Sequence, residues 1–140
     1  MSSHLIDTIN VLQKQLNVRL ATKFEKMIDN ELTAKQVLIL ELVRAGVTSS
    51  TELAEHAQVS TSAISQLLNK LEAQGYIERA INPTNRRKID ITLGQKAIAY
   101  FERSLALDRE INEHMYGQLP KEDLQALVKI LQKLLQIAEE

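Results

Sequence analysis

The sequence of 140 residues lacks cysteine and tryptophan, and it contains only four glycines and two prolines. Without cysteine, disulfides, thiolate metal sites and cysteine redox switches are excluded. No run approaches the roughly 18 apolar residues of a bilayer span, and residues 1–5 have neither the basic start nor the apolar stretch of a secretory signal. We therefore expect a cytoplasmic protein with no membrane partner.

The charges nearly balance overall but are distributed unevenly. Seventeen basic and 18 acidic residues give a formal charge of −1. Residues 60–88 carry five bases against two acids, a local +3, whereas residues 102–140 carry eight acids against five bases, a local −3. This asymmetry indicates that only the first of these segments suits an anionic partner.

Apolar residues recur three or four positions apart over most of the chain, which predicts long amphipathic helices. The first stripe covers residues 5–28, about seven helical turns, and its helix is predicted to end near Asn30. Thr33 is predicted to cap a second helix, because its hydroxyl oxygen can accept from amides of the first turn. Helical spacing resumes after Gly94 and is interrupted only near residues 117–120.

Residues 49–75 predict a helix-turn-helix, with a tight corner around Gln58 and Val59 and a second helix that begins at Ser60. One apolar face of the two helices is predicted to be buried, and it consists of Leu53, Ala54, Ala57, Val59, Ile64, Leu67, Leu68 and Leu71. The residues predicted to face outward are Thr61, Ser62, Ser65, Gln66, Asn69 and Lys70. After Gly75 the apolar period changes to two, in two short runs separated by residues 82–85, which predicts a β-hairpin. The predicted fold class is therefore mainly α: a winged helix-turn-helix with a two-stranded β wing and long terminal helices.

A helix-turn-helix followed by a hairpin suits duplex DNA, because the second helix fits the major groove and the hairpin reaches the backbone or minor groove. Gln66 and Asn69 have the groups that read adenine, and the three consecutive cations of the hairpin can neutralise phosphates. The first-turn amides near Ser60 can also meet a phosphate. The candidate DNA-binding residues are Ser60, Thr61, Ser62, Ser65, Gln66, Asn69, Lys70, Arg86, Arg87 and Lys88.

Three stretches, in this order and spacing, resemble the MarR-type winged helix-turn-helix regulators: LTAKQVLILELV at 32–43, TELAEHAQVSTSAISQLLNKLEAQGYIER at 51–79 and NPTNRRKIDITL at 82–93. The resemblance covers nearly the whole chain. It implies a dimeric transcriptional regulator, in most cases a repressor, that places its recognition helices in successive major grooves of a palindromic operator. It also implies, as in many members, release by a small-molecule effector bound between the dimerisation and DNA-binding parts.

The chain departs from the family pattern at three positions. Asn85 stands where the family usually has Asp, so a neutral amide must orient Arg87, and we expect a looser wing. Gln66 replaces an Arg of many members, which removes a cationic contact and shifts reading from guanine toward adenine. Gly94 replaces a usual Thr before the fifth helix, and as an N-cap glycine is close to Thr, so little stability should be lost.

The predicted organisation is an N-terminal dimerisation helix at 1–30, a winged helix-turn-helix DNA-binding domain at 31–95 and C-terminal dimerisation helices at 96–140. Helices of about 25 residues span about 38 Å, more than a compact domain of this size needs, so part of each apolar stripe should face a second copy. A two-fold homodimer would present paired reading helices to a palindromic site.

The sequence also allows a protein-interaction module that does not bind DNA. In it the winged domain and the acidic last helix dock another protein and never touch DNA, which the net charge and Gln66 favour. Enzymes are not indicated, because neither a nucleophile elbow nor an oxyanion-hole signature is present. His4, His56 and His114 lack the spacing of metal ligands, so we expect no metal and no cofactor.

Overall fold

The computed structural model describes residues 2–28 and 31–140. Within these residues the chain forms six α-helices and one two-stranded antiparallel sheet, which confirms the predicted fold class. Helix α1 ends at Met27, and the end predicted near Asn30 lies outside the described residues. The elements are α1 Ser3–Met27, α2 Ala34–Arg44, α3 Ser50–Ala57, α4 Thr61–Ala73, β1 Ile77–Ile81, β2 Ile89–Leu93, α5 Gln95–Tyr116 and α6 Lys121–Ala138.

The chain divides into two compact units. The central unit comprises residues 29–104 and contains the helix-turn-helix and the hairpin. The terminal unit comprises residues 1–28 and 105–140, which include α1, the second half of α5 and α6.

Hydroxyl side chains begin three helices of the central unit. Thr33 forms a capping box with Gln36: its Oγ1 accepts from the Gln36 amide at 3.2 Å, and its own amide donates to Gln36 Oε1 at 2.9 Å. Ser49 caps α3 and Ser60 caps α4 in the simpler form, each accepting from the amide three residues ahead, at 3.2 and 3.1 Å. Because each cap satisfies an amide that the helix leaves unpaired, the helix starts are fixed locally. The predicted cap at Thr33 is confirmed.

The corner between α3 and α4 is built around a left-handed residue. Gln58 has φ 56° and ψ 46°, which turns the chain out of α3. The Val59 amide then donates to the Ala54 carbonyl at 3.1 Å, and Lys35 Nζ donates to the Ala57 carbonyl at 3.2 Å. These bonds satisfy carbonyls that the end of α3 leaves open. The corner predicted at Gln58 is therefore confirmed.

The core of the central unit is formed by α2, α3, α4, the hairpin and the first turn of α5. The face predicted for the helix-turn-helix is buried, except that Val59 and Leu67 are half-buried. Small Ala54 of α3 is buried in this core, and a small side chain allows a neighbouring helix to approach closely. The buried apolar residues are Ile39, Leu40, Val43, Leu53, Ala54, Ala57, Ile64, Leu68, Leu71, Tyr76, Ile77, Ile91 and Ala97.

Strands β1 and β2 pair antiparallel, with Ile81 opposite Ile89 at the outer end. Ile77 at the inner end of β1 and Ile91 in the middle of β2 are buried, so the hairpin is anchored to the core. The Ile91 amide also donates to the Thr48 carbonyl at 3.1 Å, which fastens β2 to the connection between α2 and α3. The hairpin therefore projects from a fixed base.

Gly94 occupies a position where the backbone passes very close to a neighbouring turn. Its amide donates to the Tyr76 carbonyl at 2.8 Å, and a Cβ at this position would overlap the Gly75 carbonyl oxygen. Its carbonyl accepts from the Ala97 amide at 3.1 Å, as expected of a residue before a helix. Glycine is therefore needed at this position because it lacks a Cβ, and its strength as a helix cap is secondary.

The terminal unit buries little of its own apolar surface. Among its described residues only Ile111 is buried, and α1 and α6 contain no buried residue. No described helix is long and apolar enough to cross a membrane. The large apolar side chains exposed on α1 and α6 are Leu5, Ile6, Ile9, Val11, Leu12, Leu16, Val18, Met27, Val128, Ile130, Leu131, Leu134, Leu135 and Ile137.

Candidate nucleic-acid interface

Helix α4 has one buried face and one polar face. Ile64, Leu68 and Leu71 recur at three- and four-residue spacing and are buried in the core of the central unit. The opposite face is exposed, as predicted, and it carries Thr61, Ser62, Ser65, Gln66, Asn69 and Lys70. A helix anchored in this way can offer its polar face to a groove without moving.

The first turn of α4 is organised by Ser60. Its Oγ accepts from the Ala63 amide at 3.1 Å and lies 3.3 Å from Ser62 Oγ. The Ala63 amide is therefore used within the protein. Ser60 and Ser62 are exposed, so the hydroxyl pair can still donate to an incoming acceptor such as a phosphate oxygen.

Asn82 organises the tip of the hairpin. Its Nδ2 donates to Asp90 Oδ2 at 2.9 Å, while its Oδ1 accepts from the Thr84 amide at 2.9 Å, the Thr84 hydroxyl at 2.8 Å and the Asn85 amide at 3.0 Å. An Asn side chain that bonds the backbone two and three residues ahead forms an Asx turn. Asn82 and Asp90 are not among the residues predicted for the site, although the Asn-Pro-Thr-Asn turn signal contains Asn82.

Asn85 acts on the backbone of the tip. Its Oδ1 accepts from the Arg87 amide at 3.2 Å, and its carbonyl accepts from the Lys88 amide at 3.0 Å. The Lys88 carbonyl in turn accepts from the Asn82 amide at 2.8 Å, which closes the turn. The neutral amide at position 85 thus holds the main chain of Arg87, and the guanidinium is left to extend outward.

The three cations of the tip, Arg86, Arg87 and Lys88, are exposed. Within residues 2–28 and 31–140 the structure contains a single ion pair, between Arg79 and Glu72, so none of the three is paired with a carboxylate there. Their positive charge is therefore available to an anionic partner at a tip whose backbone is held by hydrogen bonds.

Arg79 connects strand β1 with helix α4. Its Nη2 donates to Glu72 Oε1 and to Asn69 Oδ1, both at 2.7 Å. The hydrogen bond and charge of this guanidinium hold the pKa of the Glu72 carboxyl below its ordinary value of 4.5. This contact is not predictable from the sequence, because the spacing of residues in a helix and in a strand does not show which of their side chains meet.

The described residues contain no group of three or more His, Asp or Glu side chains placed to hold a metal ion. The candidate site therefore consists of hydroxyls, amides and cations. Side chains of these types hydrogen-bond to base edges and pair with phosphates.

The comparison with known proteins now decides the family. The family model described as the MarR family matches residues 31–88. The HTH-type transcriptional repressor MdtR of Bacillus subtilis is 31% identical over 116 residues, which are 82% of this chain and 75% of MdtR. The chain belongs to the MarR family.

Solved structures of other proteins share its fold over almost the whole chain. The transcriptional regulator Tm0710 of Thermotoga maritima matches with a TM-score of 0.80 at 21% identity, covering 95% of each chain. An S. aureus MepR mutant bound to an oligodeoxyribonucleotide matches with a TM-score of 0.64 at 23% identity, covering 99% of this chain and 98% of that one. At these identities the likeness shows the fold alone.

Membership of the MarR family confirms the resemblance drawn from residues 32–93, and with it the predicted function as a DNA-binding transcriptional regulator. It favours that function over the protein-interaction module. The roles of individual site residues and the domain bounds 1–30, 31–95 and 96–140 remain predictions.

Proposed function

We propose that this MarR-family chain is a homodimeric repressor that binds an inverted repeat in double-stranded DNA. One observation carries the proposal: the exposed polar face of α4 and the hairpin tip belong to the same central unit, and the three cations of the tip pair with no carboxylate among the described residues. An α-helix with its side chains is about 10–12 Å across, which matches the roughly 12 Å width of the major groove.

In this proposal the middle of α4 contacts base edges, and the start of α4 contacts the DNA backbone. Gln66 hydrogen-bonds to a base edge from the middle of the polar face, and Asn69 acts one turn further on. Thr61, Ser65 and the cation Lys70 contribute polar contacts along the same face. Ser60 and Ser62 meet a phosphate at the start of the helix, where the helix dipole favours an anion.

The hairpin tip supplies the sequence-independent part of the affinity. Arg86, Arg87 and Lys88 neutralise phosphates and release counterions from the duplex. The bonds that Asn82 and Asn85 make to the tip backbone support this role. A loop that is already ordered loses less entropy on binding, so more of the contact energy remains for affinity.

The terminal unit supports the homodimer. Its helices expose apolar side chains along α1 and α6, and Ile111 alone is buried among its described residues. Apolar surface of this extent on a protein in water marks an interaction site. A second copy of the same unit would cover it, and two-fold symmetry would then place two α4 helices about 34 Å apart on one face of the duplex.

Repression and release are the remaining parts of the proposal. MdtR is named a repressor, and a dimer seated on an operator blocks access to that DNA in the cytoplasm. A cavity of about 600 Å³ in the terminal unit has the size of a small-molecule site and supports an apolar effector with a hydrogen-bonding group. The cavity is lined by Gln13, Leu16, Asn17, Met115, Tyr116, Leu119, Leu127 and Leu131.

The proposal is tested by selecting bound duplexes from a random pool at ~150 mM salt, followed by titration of the selected site in gel shifts. We expect a two-fold symmetric site whose halves are centred about one helical turn apart. The protein should prefer this site to random duplex by on the order of a thousandfold. Selection of no symmetric site, or equal affinity for random DNA, would contradict the proposal.

A further inference from the structure

Arg79 joins the hairpin to the reading helix through a single nitrogen atom. Its Nη2 donates to Asn69 Oδ1 and to Glu72 Oε1 on α4. Asn69 and Glu72 are three residues apart, so they lie on the same side of the helix. Glu72 balances the charge of the guanidinium. Asn69 is the only one of the two partners that belongs to the proposed DNA interface.

This contact fixes the polarity of the Asn69 side chain. A guanidinium has N–H donors and no acceptor, so the Asn69 atom that meets it is the carbonyl oxygen. The amide nitrogen, with its two N–H donors, is therefore the end that remains for an outside partner, and Asn69 is exposed. Adenine is read by a donor and an acceptor used together. In Asn69 the bond from Arg79 takes one of the two lone pairs of Oδ1 and orients this oxygen toward the Arg79 guanidinium, so the acceptor is not free to align with adenine while the amide nitrogen is.

We infer that Arg79 is a positioning residue that sets the base preference of Asn69. Asn69 then donates to an acceptor on a base edge, guanine N7 and O6 or thymine O4, in place of the two-bond contact with adenine that the sequence suggested. The inference rests on the proposed function and deepens it. Asn69 shares a strip of α4 with Ser65 and Gln66, at spacings of four and three, which favours a base edge over a phosphate.

The experiment compares base preferences of the wild type, Asn69→Ala and Arg79→Met by selection from the same random duplex pool. Methionine keeps an unbranched stem but removes every N–H donor. Asn69→Ala should lose the preference at one base pair of each half-site, which identifies the pair that Asn69 contacts. In Arg79→Met the side-chain amide of Asn69 is free to turn, so it can form both hydrogen bonds with adenine at that base pair. Discrimination against adenine at that position should therefore fall by about fivefold or more.

The base pair that Gln66 contacts is the internal control, because the side-chain hydrogen bonds of Arg79 among the described residues go to Asn69 and Glu72 and not to Gln66. Its preference should be the same in the wild type and in Arg79→Met. Circular dichroism and the melting temperature show whether Arg79→Met is folded. If it is not, Asn69→Asp carries the test: one carboxylate oxygen still accepts from Arg79, and the outward atom becomes an acceptor. That variant should shift the preference to an amino-bearing base, cytosine or adenine.

Three results would overturn the inference. The first is a base preference that stays unchanged in folded Arg79→Met or, where that variant does not fold, in Asn69→Asp. The second is an equal loss of affinity for all sequences in Asn69→Ala, which would place Asn69 on a phosphate. The third is an equal loss for all sequences in Arg79→Met, which would make Arg79 a backbone contact. A wild type that selects no symmetric site overturns the proposed function as well, whereas these three results leave it standing.

Discussion

At the scale of single residues, two glutamines that end helices adopt opposite conformations. Gln58 follows α3 with φ 56°, in the left-handed region, whereas Gln74 follows α4 with φ −88°, in the ordinary helical region. A left-handed residue with a Cβ costs roughly 1–2 kcal/mol, and glycine avoids this cost. The helix-turn-helix corner therefore contains strain that a single substitution should remove.

We predict that Gln58→Gly raises the free energy of unfolding by about 0.5–1 kcal/mol, because relief of strain exceeds the added entropy of the unfolded chain. Gln74→Gly is the matched control, and it should lower the same quantity by about 0.5–1 kcal/mol, because no strain is relieved. Denaturant titration of both variants measures the difference. Equal changes at the two positions would contradict the prediction.

Residue-scale roles are also where sequence reasoning reaches its limit. The cap at Thr33 and the corner at Gln58 were predictable, because each depends on neighbours within four positions. The sequence pattern indicates only a helix cap at Gly94, whereas the structure shows that the Gly75 carbonyl leaves no room for a Cβ. That contact joins residues 19 positions apart, and a single sequence contains no signal for it.

At the scale of elements, α4 and the hairpin tip differ in how they would contact DNA. The polar face of α4 carries groups that both donate and accept, whereas the tip carries cations on a backbone fixed by Asn82 and Asn85.

The helix α4 and the hairpin are both predictable from the period of their apolar residues. The sequence also predicts a loose tip from the loss of the Asp carboxylate, yet the structure shows that the amide of Asn85 bonds the tip backbone, a contact that depends on the turn conformation.

We predict that Arg87→Ala and Gln66→Ala have different effects on DNA binding. Arg87→Ala should weaken binding to all sequences and reduce the slope of log affinity against log salt by about one. Gln66→Ala should cost about 1–3 kcal/mol at one base pair and leave the salt slope unchanged. Arg103→Ala removes an exposed cation of α5 outside the proposed interface, and it should change neither property. Identical behaviour of the first two variants would refute this division of roles.

The ion pair between α4 and β1 should make stability depend on pH. Because the Arg79 guanidinium lowers the pKa of Glu72 in the folded state, the pair stabilises the fold above pH 4.5 and loses this effect as the pH falls through the lower, folded-state pKa. Wild type should therefore be more stable than Glu72→Gln near neutral pH. The difference should shrink below pH 4.5, measured by denaturant unfolding at a series of pH values. A difference that is constant with pH would contradict the prediction.

At the scale of the whole molecule, the two units differ in how much apolar surface each buries by itself. The central unit has a continuous core, whereas α1 and α6 of the terminal unit contain no buried residue. The sequence predicted the stripes on these helices from their spacing. The sequence does not predict how small a fraction of these stripes is buried within a single chain. Periodicity shows which face of a helix a side chain lies on, but it does not show what packs against that face.

We predict that Leu131→Glu, at the exposed apolar face of α6, disrupts the proposed homodimer. Burial of an unpaired carboxylate costs about 3–5 kcal/mol, so the dimer dissociation constant should rise by on the order of a hundredfold or more. Gln132→Glu, the next residue on α6, is the control and should leave the dimer intact. Sedimentation velocity measures both species, and affinity for the symmetric site should fall with Leu131→Glu alone. An unchanged sedimentation coefficient for Leu131→Glu would contradict the prediction.

The nearly coreless terminal helices have a consequence for the protein at low abundance. If their order comes from pairing, then association and the last stage of folding form a single equilibrium, governed by mass action. Diluted subunits would hold a structured DNA-reading half and frayed ends open to proteolysis. The concentration of active dimer would then rise more steeply than the total concentration of the chain. Repression would therefore decline sharply as synthesis of the protein slows.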